Sequence, residues 1–314
     1  MKELAIATYG LTKRFEGYIA VNEIDLQVEA GEVYGLIGPN GAGKTTLIKM
    51  LATAEEPTKG EIYLHGDRLL RDDSNPVLKQ RIGYLPDDFP LYEDLSVWDY
   101  LDYFARLYLL KEPRRTRRLY EVLELVQLGN KSKSIISTLS RGMKQRLSLA
   151  RTIIHEPILL LLDEPVSGLD PLARQQFRDI IKTLQSAGMT ILISSHVLSD
   201  LAELCTSIGI MELGFLVEST SLAELYQKLA SSQIRLTTLG KMEILQQQLN
   251  QNPLVTTWSR IDPHRFQVDF KGKESDCAEL LRSLVLADIP IAEFQYCPED
   301  LESIFLKLGH QQTS

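Results

Sequence analysis

Five consecutive apolar residues, Ile158 to Leu162, run straight into Asp163-Glu164-Pro165. A run so short and so apolar, closed by acids and a proline, fits a strand buried on both faces in a sheet covered by helices. Far upstream the chain reads Gly38-Pro39-Asn40-Gly41-Ala42-Gly43-Lys44-Thr45-Thr46. In such a loop successive backbone N–H groups and the N-terminus of the next helix cradle phosphate oxygens, while a lysine and a hydroxyl reach the terminal phosphate and Mg²⁺. Chance alone yields G-x-x-x-x-G-K-[ST] in roughly one or two of a hundred chains this long, so context decides. The apolar run Val33 to Ile37 precedes it, and Leu47, Ile48 and Leu51 follow at helical spacing. Together the two segments read as a nucleoside-triphosphate site, the loop for phosphate and the acids for what accompanies it.

Charge assigns the roles. Transfer of a phosphoryl group to water needs neutralised phosphate oxygens and an oriented water, because the transition state is loose and charge-rich. Lys44 supplies a point charge at the β- and γ-phosphates. Thr45 offers its hydroxyl to Mg²⁺, and Asp163, at the end of a buried strand, holds the same ion through water. Glu164, one residue on, points elsewhere and is the expected general base or water-orienting group. A merely solvated acid is an uncommon follower of a fully apolar strand. His196 ends another apolar run, Thr190 to Ser195, on the same sheet edge, where ligands of open α/β sheets collect. A lone histidine is usually structural, but this placement points to the γ-phosphate.

Composition narrows the class. The 314 residues suggest a main domain with an appendage, and 44% hydrophobic content is ample for a core. A net charge of −8 argues against nucleic-acid binding driven by bulk charge and against direct binding to an anionic bilayer. The cysteines Cys205, Cys277 and Cys297 are too scattered for a disulfide framework or metal spacing and read as reduced thiols in the cytoplasm. No N-terminal leader pattern stands out, and no stretch approaches the roughly 18 apolar residues of a membrane span. Work at a membrane would go through a partner.

Along the chain, strands are expected at Leu4 to Tyr9, Val21 to Glu29, Val33 to Ile37, Gly60 to Gly66 and Arg81 to Leu85. Helical stripes follow, one of Trp98, Leu101, Phe104, Ala105 and Tyr108 and another of Leu119, Val122, Leu123 and Val126. From Leu139 to Ser195 helix and strand alternate in the grammar of a parallel sheet.

The order of Gly38 to Thr46, Leu139-Ser140-Arg141-Gly142-Met143, Leu159 to Glu164, Ser167-Gly168-Leu169-Asp170 and His196 resembles the nucleotide-binding subunit of ABC transporters, over residues 1 to about 219. The resemblance implies an α/β P-loop NTPase core with an N-terminal antiparallel β-subdomain and a helical subdomain at about residues 88–140. It implies ATP and Mg²⁺ as cofactors, and two copies, or the chain and a similar ATPase, closing head to tail around two ATP molecules. In that arrangement Ser140 and Gly142 serve the partner's γ-phosphate; they open a helix whose positive end suits an anion. Ser167 to Asp170 would make the dimer contact, and Phe15, with Tyr18 second, would stack on adenine. A core role is the ordinary alternative for Phe15.

Two departures stand out. Where a glutamine usually follows Tyr84-Leu85-Pro86, this chain has Asp87 and then Asp88; Asp87 is shorter and charged but still able to approach Mg²⁺ or the water. In the signature, Arg141 and Met143 replace the usual glycine and glutamine, and Arg141 is expected to point to solvent. The basic cluster Lys111, Arg114, Arg115, Arg117 and Arg118 reads as a solvated helix face, with anionic headgroups or a partner's acidic loop as the alternative.

Beyond about residue 220 the order helix, strand, helix, two strands, helix, strand, helix suggests an accessory ferredoxin-like α+β domain spanning 220–314. Phe266, Val268 and Phe270 alternate with polar residues, as do Ala292, Phe294 and Tyr296, and Leu301, Ile304, Phe305 and Leu308 form the face of a last helix between Pro298 and Gly309. The closing Pro298-Glu-Asp-Leu-Glu-Ser-Ile-Phe-Leu-Lys-Leu308 resembles the tail of subunits serving drug, lipid or polysaccharide exporters with separate permease chains. The leading expectation is an ATPase driving export through a polytopic permease from the cytoplasmic face, with no direct nucleic-acid contact. A soluble ABC-type ATPase acting on nucleic acid or ribosomes, and a non-catalytic module that ATP locks as a dimer, are the alternatives.

Overall fold

A computed structural model describes residues 3–69, 76–88, 90–197, 201, 203–228 and 232–297. The chain divides into two compact units, Met1–Leu222 and Ala223–Ser314. The first unit opens with an antiparallel layer of β1 (Leu4–Phe15), β2 (Tyr18–Ile24) and β3 (Gln27–Glu29). After β4 (Val33–Ile37) and α1 (Lys44–Leu51), strands β5 (Lys59–Leu64) and β6 (Asp67–Arg68) complete that layer in the order β2-β1-β5-β6, with β3 also on β1. The single strand expected over Val21 to Glu29 is in fact two. Thr8 explains the break: its buried hydroxyl donates to Ile24 O at 2.9 Å and accepts from Leu26 N at 2.8 Å, which replaces ladder bonds with side-chain ones. A hydrophobic pattern carries no trace of such a bond.

Next come a short α2 (Pro76–Lys79), β7 (Ile82–Leu85), and three helices, α3 (Val97–Leu107), α4 (Arg114–Leu125) and α5 (Arg141–Ile153). They are followed by β8 (Leu159–Leu162), α6 (Pro171–Ser186), β9 (Thr190–Ser195), β10 (Ser207–Glu212) and β11 (Phe215–Ser221). The main sheet runs β11-β10-β4-β9-β8-β7, parallel except for β11. Every residue of β4, β8 and β9 is buried, as continuous apolar runs require. Leu47, Ile48 and Leu51 of α1 pack with Leu36, Leu159, Leu161 and Leu192 of the sheet. The β10–β11 hairpin was not anticipated as separate strands; Leu213 and Gly214, both at positive φ (49° and 87°), make its two-residue turn.

In the helical region the second stripe is buried as expected, but the first is rotated. The inner face of α3 is Val97, Tyr100, Leu101 and Ala105. Trp98 lies half-buried against Tyr120, and Tyr108 is partly exposed, stacked on His155 with ring centroids 4.0 Å apart. Most of the basic cluster is neutralised locally. Arg115 meets Asp102 at 2.8 Å and Glu112 at 2.7 Å, Arg117 meets Glu121 at 2.8 Å, and Arg114 pairs with Glu156. Arg118 donates to Ile153 O at 2.7 Å, at the end of α5 where helix carbonyls are free.

In the second unit, α7 (Leu222–Lys228), which begins at the last residue of the first, leads into β12 (Ser232–Thr238), α8 (Met242–Gln251), β13 (Val255–Arg260), β14 (Arg265–Phe270), α9 (Glu274–Leu286) and β15 (Ile291–Cys297). The antiparallel order β13-β14-β12-β15 is that of a ferredoxin-like α+β fold. Phe266, Val268 and Phe270 pack on Leu245 and Leu249 of α8 and Leu280 and Leu284 of α9. A register shift in β15 corrects the expected face: Thr237 pairs with Glu293 but Thr238 with Ile291, so Ile291 reaches the core and Ala292 is exposed. The expected helix over Leu301 to Leu308 lies outside the described residues. No helix among the described residues is long and apolar enough to cross a membrane.

Thr8→Val keeps the shape of the side chain but strands Ile24 O and Leu26 N, and is expected to cost about 1–3 kcal/mol in urea unfolding.

Candidate nucleotide and metal site

Adjacent parallel strands β4, β9, β8 and β7 end side by side, and each releases one group at its carboxyl end: Gly38, His196, Asp163 with Glu164, and Asp87. Two glycines of the loop after β4, Gly38 and Gly43, have no room for a side chain. A Cβ on Gly38 would sit 2.2 Å from Met211 O, and one on Gly43, at φ +100°, 2.2 Å from Ala20 O. Ala42 N bonds Pro39 O at 3.1 Å, and Ala42 O accepts from Gly214 N at 3.1 Å, so the β10–β11 turn supports the loop from beneath. Asn40, Gly41 and Thr45 are exposed, and Thr46 is half-buried. Gly43, as N-cap of α1, brings no side chain to the first-turn N–H groups, which suits them to phosphate oxygens. Lys44 is buried and folds back, donating to Gly38 O at 2.7 Å and Pro39 O at 3.2 Å.

Glu164, expected from sequence to be free, is instead held between two basic groups. Its Oε1 lies 3.4 Å from Lys44 Nζ and its Oε2 2.7 Å from His196 Nδ1. It is only 12% exposed and adopts φ 47°, a left-handed conformation uncommon for such a residue and typical of strained functional positions. With Nδ1 donating to the carboxylate, the His196 ring turns Nε2 outward from an imidazole that is 42% exposed. Beside it Asp163 is 1% exposed, and its Oδ1 accepts from Ser194 Oγ at 2.7 Å, whereas its Oδ2 is buried without a protein partner among the described residues. An unpaired buried carboxylate oxygen beside the exposed Thr45 end of α1 suits a hard cation or its water, so the donor set fits Mg²⁺.

Asp87 belongs to the same group of charges. Loss of solvent around its carboxyl, then the charges of Asp163, Glu164 and Asp88, hold it above the usual carboxylate range, while Arg141 pulls the other way. The residue as a whole stays exposed, so the effect is screened. Ser140 caps α5, accepting from Met143 N at 3.3 Å, and is exposed. Gly142 presses on α6, where a Cβ would come within 2.5 Å of Ala173 Cβ. Arg141 is exposed as expected but not idle: it donates to Ser167 O at 3.0 Å and lies over Gly168. Asp170 caps α6, accepting from Ala173 N at 2.8 Å. Phe15 is half-buried rather than core and stacks on Tyr18 at 5.5 Å, with Lys13 Nζ over its ring. This pair flanks the β1–β2 turn, and Tyr18 lies two residues before Ala20, whose carbonyl abuts Gly43.

Ser194 was missed from sequence. Buried in β9, it donates to Asp163 Oδ1 and accepts from Glu164 N at 2.9 Å, orienting both acids. A hydroxyl residue in an apolar strand just ahead of His196 was the available signal.

Ser194→Ala is expected to destabilise the fold by about 1–3 kcal/mol in urea unfolding, because it leaves an Asp163 oxygen and the Glu164 N–H unpaired. For Asp87, folding raises the pKa, so the ionised carboxyl is disfavoured in the native state and that penalty is complete only above the raised pKa. Asp87→Asn is therefore expected to raise the melting temperature near neutral pH in buffer free of metal and nucleotide, with the gain closing as pH falls through the carboxylate range.

The family profile described as ABC transporter matches residues 21–167. The chain is 34% identical over 307 residues, 96% of each chain, to the uncharacterized ABC transporter ATP-binding protein YcbN of Bacillus subtilis. It is 36% identical over 202 residues to the Nod factor export ATP-binding protein I of Cupriavidus metallidurans, covering 64% of this chain and 66% of that one. A solved ATP-binding subunit of an ABC transporter superposes with a TM-score of 0.64 at 30% identity, over 71% of this chain and 92% of that one. With the phosphate loop, the paired acids and the strand-end histidine assembled on one sheet edge, the chain belongs to the ATP-binding subunits of ABC transporters.

Proposed function

We propose that the chain hydrolyses ATP and couples this, at a head-to-tail dimer, to movement of a polytopic membrane permease that exports its substrate. The observation that carries the reading is the position of Glu164, held between Lys44 and His196 beside the open oxygen of Asp163. Mg²⁺, when bound, supplies neutralisation of phosphate charge. The N–H groups of residues 38–46 other than Pro39 wrap the phosphates, and Thr45 and Asp163, with Asp87 alongside, would hold the ion. Lys44 exchanges Glu164 for the β- and γ-phosphate oxygens, which frees the carboxylate. Glu164 then accepts the proton of the attacking water as its oxygen bonds to the γ-phosphorus and the bond to the ADP oxygen breaks. His196 orients Glu164 through Nδ1 and presents Nε2 to the γ-phosphate. Phe15 takes the adenine, and Ser140 and Gly142 of one copy approach the γ-phosphate of the other.

Residues 1–219 act as the ATP-binding domain, with the helical segment 88–140 facing the permease, and residues 220–314 as an accessory domain. Export is favoured by the likeness of the ATP-binding part to the Nod factor export relative. The basic cluster, spent largely on neighbouring acids, offers little to nucleic acid. The protein would sit at the cytoplasmic face through its permease.

Glu164→Gln is expected to lower turnover by roughly 10²–10⁴-fold while ATP binding persists; full turnover in this variant removes Glu164 as the base. Lys44→Ala is expected to abolish productive ATP binding in a nucleotide titration. Affinity purification from gently solubilised native membranes tests the partner: a stoichiometric polytopic protein supports the reading, and recovery with ribosomes or DNA proteins replaces it.

A further inference from the structure

Two buried polar atoms on one face of the main sheet lack a protein partner. Tyr84 Oη and Asp163 Oδ2 are both closed off from solvent, and neither makes a hydrogen bond among the described residues. They are neighbours by topology. Tyr84 on β7 pairs in register with Leu161 on β8, and alternation puts Asp163 on the same face as Leu161. Leu161 and Tyr84 pack in the assembly that holds Leu47, Ile48 and Leu51, so this is the face covered by α1, whose first turn carries Lys44 and Thr45. Burial first, then the charges of Asp163 and Asp87, push the Tyr84 phenol up to about 12, so the hydroxyl stays neutral.

A buried polar group left unmet is costly, and buried waters bond such otherwise unsatisfied groups. A cation-bound water has two hydrogens to give, and Asp163 Oδ2 and Tyr84 Oη are two acceptors for them. Leu85, next to Tyr84, ties the two strand ends together: its carbonyl accepts from Asp163 N at 2.9 Å.

We infer that Tyr84 is a positioning residue of the metal site, its hydroxyl sharing with Asp163 Oδ2 a water through which that carboxylate holds the cation. This rests on the reading of Asp163 as the cation's carboxylate. Tyr84 touches neither nucleotide nor reacting atoms; it fixes the water that Asp163 uses.

The test is equilibrium ATP binding by wild type and Tyr84→Phe, with Mg²⁺ and again in EDTA, accompanied by thermal unfolding without nucleotide or metal. The expected result is unchanged affinity in EDTA and a Mg²⁺-dependent gain reduced by roughly tenfold or more in the variant. An equal gain in both proteins, with a higher melting temperature for Tyr84→Phe, identifies a hydroxyl that is merely buried and overturns the inference while leaving the site intact. Equal losses in EDTA and in Mg²⁺ assign Tyr84 to packing and overturn it as well. A wild type with no Mg²⁺-dependent gain removes the site reading and the inference together.

Discussion

The hydroxyl of Ser194 joins the two strands on which the site depends. Donating to Asp163 Oδ1 and accepting from Glu164 N, it fixes one acid by its side chain and the next by its backbone. Adjacent residues on a strand would otherwise turn to opposite faces. Glu164 instead leaves the strand at φ 47°, and that turn carries its carboxylate between Lys44 and His196 while Asp163 stays under α1. Two acids one residue apart thereby receive different environments.

The same economy governs the phosphate loop. Its shape is set from outside by carbonyls of Met211 and Ala20, which leave no space for a Cβ at Gly38 or Gly43, and by the turn at Gly214. The antiparallel layer and the last hairpin of the main sheet are thus part of the site although they contribute no reacting group. Lys44, buried among carbonyl oxygens and beside Glu164, is held in place by groups that phosphate oxygens can replace.

Departures from the family pattern become intelligible at this scale. Asp87 adds a third carboxylate at the strand ends and meets its neighbours' charge, while Arg141, which replaces an uncharged residue, lowers that burden and braces Ser167 and Gly168. Arg141 relieves only part of that charge, and the Asp87 carboxyl stays above its ordinary range.

The sequence by itself determined the strand–loop–helix around Gly38 to Thr46, the apolar strand ending at Asp163-Glu164, the placement of His196, and the βαββαβ order of the tail, because each is written in local periodicity and in residues with one chemical use. What periodicity could not show was anything carried by one side chain across the fold. The break after Ile24 is made by Thr8, the core face of α3 is rotated toward Val97 and Tyr100, and a bulge in β15 exchanges Ala292 for Ile291. Likewise the pairing of Glu164 with Lys44, the hold of Ser194 on both acids and the register of Tyr84 with Leu161 join residues far apart in the chain. Their contact exists only once parallel strands lie in register, since pattern encodes which face is buried but not which polar atoms remain to be satisfied there.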